Sequence, residues 1–197
     1  MLHLYVYNPK NDFDEELPPS ALSISAYLEQ QPGWIPALEE TWLVLKVSGG
    51  EPLLQLNPFG LLDFLVPQLE EAARRLEAGK LALIRSSGDW TPLFLALESE
   101  GELTRLSALA TLPRPWSAYY PLSKSPFFTP ESVDQREALY TYVEEHRGLL
   151  SPGQSASKAE LALQGVELPT DELVQSLREE AQKGRHLLEI FVDQGEK

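Results

Sequence analysis

The sequence predicts an α+β fold with a mainly antiparallel sheet, and three observations carry that reading. Apolar runs with a two-residue period are separated by short turns containing Gly and Ser. Two longer stretches repeat apolar residues every three to four positions. The two kinds of element cluster rather than alternate, whereas regular alternation would indicate a doubly wound parallel sheet. The expected order is a first strand, a hairpin, a helix, a three-strand meander, two further helices and a C-terminal strand.

Residues 2–7, LHLYVY, are rich in aromatic and branched side chains and read as a strand that stops at Asn8-Pro9. The acidic, Pro-containing NDFDEELPPS reads as a loop, after which Ser20 is placed to cap a short helix through Ala26, Tyr27 and Leu28. In TWLVLKVSGGEPLLQLN two apolar runs flank Ser48-Gly49-Gly50-Glu51-Pro52, whose glycines accept positive φ and turn the chain back into a hairpin. Asn57-Pro58 then has the composition of an N-cap followed by proline at the first helical position. Leu61, Leu62, Leu65, Leu69, Ala72, Ala73 and Leu76 follow at helical spacing. Pro67 is expected to kink this helix or to start its second half. Glu70 and Glu71 are expected to pair with Arg74 and Arg75 four residues on, and Gly79 to end the helix.

After Gly79 the apolar period shortens to that of strands. LALIRS, PLFLAL and ELTRLSAL are separated by SSGDWT and by Ser99-Glu100-Gly101-Glu102, which makes a three-stranded antiparallel meander. Arg85 closes the first of these runs beside Ser86-Ser87-Gly88-Asp89. It reads as an arginine on the wet face of a hairpin, shielded by Trp90, and Arg105 in the third run reads as a second one. Residues 111–130, TLPRPWSAYYPLSKSPFFTP, interleave prolines with Trp116, Tyr119, Tyr120, Phe127 and Phe128, so many aromatic rings argue that the segment packs on something. Thr129-Pro130-Glu131 starts a helix with Val133, Leu139, Tyr142, Val143 and His146 on its apolar stripe. SPGQSASKAE reads as a linker. Thr170 caps the last helix, Leu173, Val174, Leu177 and Ala181 share one face, Gly184 closes it, and HLLEIFVD is a final strand. Residues 1–110 thus form an α+β core, 111–130 a Pro/aromatic connector, and 131–197 a helical part with a closing strand, joined to the core as one compact unit.

The 197 residues are 43% hydrophobic and 23% charged, enough to build a sizeable core. Without cysteine there is no disulfide framework or thiolate nucleophile. No apolar run reaches the roughly 18 residues of a membrane span, and MLHLYVYNPK lacks the basic start and long apolar stretch of a secretory signal, so a cytoplasmic location away from the membrane is expected. Thirty acidic residues against sixteen Lys and Arg give a net charge of −14, which disfavours direct contact with a nucleic-acid backbone, where clustered cations do the binding. The excess of acid extends along the whole chain and no segment is basic. It confers solubility, or steers association toward a basic partner.

No catalytic, metal-binding or phosphate-binding motif is complete in the sequence. Ser155-Ala156-Ser157-Lys158 matches S-x-x-K, but the S-D-N and K-T-G partners of that motif are missing from the sequence. His3, His146 and His186 are far apart and form no H-x-x-x-H pair, and Glu144 and Glu145, adjacent on a helix, diverge as a solvated face. Gly49-Gly50 lacks the lysine and following helix of a phosphate loop, and Asp12, Asp14, Glu15 and Glu16 lack the central glycine and distant glutamate of a calcium loop.

In makeup alone, a small, acidic, cysteine-free α+β chain is similar to bacterial proteins that work by binding, such as immunity proteins, antitoxins and secretion chaperones. The expectation is therefore a non-enzymatic protein that binds another protein, a basic one on the charge balance, without cofactor or metal. An immunity or inhibitor role comes first and a chaperone or adaptor role second. Trp116, Tyr119 and Tyr120 are the candidate anchors, because aromatic side chains dominate binding hot spots. The rival expectation is an enzyme whose site combines distant residues, with Arg85, Asp89, Arg105 and His146 as its best candidates.

Overall fold

The computed structural model describes residues 1–7, 22–30, 42–47, 52–56, 62–85, 94–109, 140–141, 144–145 and 165–195. They form helices and two antiparallel four-stranded sheets, an α+β fold. The first sheet has the order β2-β1-β3-β4, from β1 (Leu2–Tyr7), β2 (Leu22–Ser23), β3 (Trp42–Val47) and β4 (Pro52–Leu56). The second runs β5-β6-β7-β8, from β5 (Ala82–Arg85), β6 (Phe94–Glu100), β7 (Leu103–Leu109) and β8 (Val166–Pro169). The helices are α1 (Ile24–Gln30), α2 (Leu62–Glu77) and α3 (Thr170–Gly195). The expected β3–β4 hairpin and the β5–β6–β7 meander both form. The apolar VEL beyond the linker extends that meander by a fourth strand, β8.

The apolar stripe of α2 buries Leu65, Val66, Leu69, Ala72, Ala73 and Leu76 against Leu173, Val174, Leu177, Ala181 and Leu187 of α3, in one cluster with residues from both sheets. Each fully buried leucine contributes about 1.5–3 kcal/mol of transfer free energy, which makes this cluster the chief apolar core among the described residues. Helix α2 is continuous across Pro67, which is exposed. It ends as its sequence requires: Gly79 takes φ 66°, its N–H bonds the Leu76 carbonyl at 2.9 Å, and the Lys80 N–H bonds the Arg75 carbonyl at 2.9 Å. This pair of bonds is a Schellman cap, and it turns the chain directly into β5.

Three expectations are corrected. The cap of α1 is Ser23, whose hydroxyl accepts the Ala26 N–H at 3.2 Å, rather than Ser20; two residues of strand β2 intervene before the helix. The charges on α2 take partners other than those of four-residue spacing. Arg74 bonds Glu71, Glu70 reaches across to Arg185 on α3, and Arg75 is turned inward and buried. Most important, HLLEIFVD is not a C-terminal strand, because α3 runs on through Gly184 to Gly195. Gly184 is buried on the helical stripe that leads from Leu177 and Ala181 to Leu187. Packing on both sides of the glycine offsets the roughly 1 kcal/mol that it costs a helix interior. Of the helix expected from Thr129, residues 140, 141, 144 and 145 are described and are helical.

Both sheets have backbone edges that are completed by side chains. Among the described residues, strand β2 covers Tyr5 and Val6 of β1. Beyond it, the Leu2 N–H donates to the Ser176 hydroxyl at 3.1 Å, that hydroxyl donates to the Leu2 carbonyl, and the Leu4 N–H donates to Glu180 at 3.0 Å. Ser176 and Glu180 stand one turn apart on α3 and act as a substitute strand. At the β5 edge, Arg75 Nε donates to the Leu81 carbonyl at 2.6 Å and the Leu83 N–H donates to the Tyr140 hydroxyl at 3.4 Å. The Arg75 guanidinium lies 3.3 Å from the centroid of the Tyr140 ring.

Candidate functional site

The alternation of β6 and β7 sends Leu95, Leu97, Thr104 and Leu106 into the core and leaves Glu98, Glu100, Leu103 and Arg105 on the opposite face. β8 adds Glu167 and Pro169 to that face, since the register aligns Arg105 with both Glu98 and Glu167, and Leu103 with both Glu100 and Pro169. The row Glu98–Arg105–Glu167 therefore crosses three strands, and cross-strand neighbours stand about 5 Å apart. Arg105 pairs with Glu100 at 2.7 Å, and both side chains are nearly half exposed. Three glutamates thus share this face with one arginine, Glu98 half-buried and Glu100 and Glu167 exposed, and Glu102 is a further exposed acid at the hairpin tip. The pair itself contributes little stability in such solvated surroundings. The face retains an excess of negative charge beside Leu103, which is 42% exposed.

This surface is held firmly from below. Gly101 adopts φ 78° in the two-residue β6–β7 turn, a conformation that side chains disfavour. The Thr170 hydroxyl, expected to cap α3, donates to the Gly101 carbonyl at 3.1 Å and lies 3.0 Å from the buried Thr104 hydroxyl. The Thr170 N–H donates to the Glu102 carbonyl at 2.8 Å. That bond makes Leu103 and Pro169 a non-hydrogen-bonded pair, so the nitrogen of Pro169 points away from β7 and the proline costs the ladder no bond. Among the described residues β8 is the outermost strand, and the proline leaves its outer edge one donor short for pairing with another strand.

A second polar feature is an open groove of about 400 Å³ between α2 and α3, lined by Glu70, Arg178, Gln182 and Arg185. Its arginines are engaged: Arg178 bonds Glu77 at 2.7 Å and Arg185 bonds Glu70. Glu180, buried under β1, receives Lys183 at 2.8 Å and lies 3.6 Å from His3. His186 is exposed on α3, 3.7 Å from Glu189. Among the described residues, no group of three or more His, Asp and Glu is arranged to hold a metal ion, and no helix is long and apolar enough to cross a membrane.

Of the four residues of the enzymatic alternative, Arg105 is the one with a described side chain, and it belongs to the charged sheet face. Arg85 ends β5 opposite Phe94. From the Arg105 row this is two strands across and four residues along β6, a separation of about 17 Å between backbones. Asp89 and His146 lie outside the described residues, as do Trp116, Tyr119, Tyr120, Ser155 and Lys158. Glu144 and Glu145 are both exposed, and Glu144 approaches Arg75 at 3.8 Å. Glu98, Glu100 and Glu167 were not singled out from the sequence, although the alternation within FLALESE already places the first two on one face; Glu167 joins them only through the β7–β8 register. No family model, curated protein or solved structure matches this chain.

Proposed function

We propose that the protein acts without catalysis, by binding a basic protein in the manner of a bacterial immunity or inhibitor protein. The observation that carries this reading is the end of a sheet face, part-exposed to exposed, that Glu98, Glu100 and Glu167 share with Arg105, in a chain whose net charge is −14. A row of carboxylates on a rigid sheet favours a cationic surface, and a single arginine among them fixes register by repelling a misplaced cation. Leu103 and Pro169 supply apolar contact beside the charges, and Trp116, Tyr119 and Tyr120 of the connector are the aromatic anchors in this reading. Such a partner is met in the cytoplasm.

The test is capture from a lysate of the source organism by the purified, tagged chain, compared with the triple variant Glu98→Gln/Glu100→Gln/Glu167→Gln and with Trp116→Ala and Tyr120→Ala made separately. The expected result is a stoichiometric basic protein on the parent chain. Affinity should fall at least tenfold, about 1.4 kcal/mol, in the triple variant while its melting temperature holds. Equal capture by parent and triple variant overturns the assignment of the face. Large destabilisation by both aromatic substitutions removes the connector from the interface and puts it in the core.

A further inference from the structure

We draw no further inference here: the strongest candidate, the open groove between α2 and α3 lined by Glu70, Arg178, Gln182 and Arg185, carries none because both arginines are already paired with glutamates of α2 and nothing in the structure shows what would occupy it.

Discussion

Replacing Glu180 by alanine should destabilise the protein by about 3 kcal/mol, a large effect for one charged residue on a helix. Glu180 is 3% exposed and accepts the buried N–H of Leu4 at 3.0 Å. Alanine leaves that amide without an acceptor, which costs about 1–3 kcal/mol. The lost γ-methylene adds about 0.8 kcal/mol. The pair with Lys183, whose side chain is one-third exposed, adds at most about 1 kcal/mol, because the ammonium can turn to water. At roughly 2–4 °C per kcal/mol for a chain of this size, the melting temperature should drop by about 6–12 °C. Glu180→Gln keeps an oxygen for Leu4 and should lose only about 1 kcal/mol. Ser176→Ala, which strips both the donor and the acceptor from Leu2, should lose about 2 kcal/mol. The two alanine substitutions together should cost about 1 kcal/mol less than their sum, since either one already loosens the same strand. Thermal and urea unfolding followed by circular dichroism give the stabilities, and hydrogen exchange at the Leu4 amide reads the local effect. The exposed neighbour Glu179→Ala is the control. If Glu180→Ala melts within about 1 °C of that control and the Leu4 amide exchanges no faster, the substitute-strand account is wrong.

Three further predictions concern the other edge, the helix cap and the charged face. Arg75→Lys should cost about 2 kcal/mol despite keeping the charge, because an ammonium neither stacks on Tyr140 nor matches the reach of Nε to Leu81; Tyr140→Phe should cost about 1 kcal/mol, and unfolding midpoints that match the parent would refute both. Gly79→Ala should destabilise by about 1 kcal/mol through backbone strain alone, since a β-carbon there meets nothing within 4 Å; an unchanged midpoint would mean that φ 66° carries no strain. The on-rate for the captured basic partner should fall as salt rises toward 0.15 M, where the screening length shrinks to about 8 Å, and stopped-flow traces that do not respond to salt would leave the net charge as a solubility feature only.

Local chemistry was legible where a few neighbouring residues decide the outcome. Gly79 ends α2, Gly101 turns β6 into β7, and the three apolar runs after Gly79 pair as a meander, because each depends on period and turn residues within about ten positions. The misreadings share a different cause. Gly184 and the branched run after it look like a helix stop and a strand when read locally, yet Leu187 continues the stripe of Leu177 and Ala181 and is buried with them. Tertiary burial thus overrode the propensity of a few residues. The rerouted charges of α2 show the same thing: with α3 alongside, Glu70 meets Arg185 and Glu77 meets Arg178, and spacing along one helix does not predict either pair.

The charged face could not be assembled from sequence, because Glu167 reaches Arg105 only after β8 has found its register on β7, and that register is set by distant anchors. Thr170 supplies them: its N–H and hydroxyl grip Glu102 and Gly101 at the far end of the β6–β7 hairpin, and its hydroxyl meets Thr104 inside. A slip of one residue would break these contacts and turn Val166 and Leu168, which pack against the core, toward water, so burial and hydrogen bonding select the same alignment. The cross-strand row is therefore a by-product of how the core closes. The backbone positions of the three acids are as fixed as the hairpin itself, and the Glu100–Arg105 pair, nearly half exposed, adds little to holding it. Such a surface can change its charges at little cost in stability. That is the property the proposed binding face needs, so neutralising Glu98, Glu100 and Glu167 should separate recognition from folding in the capture experiment.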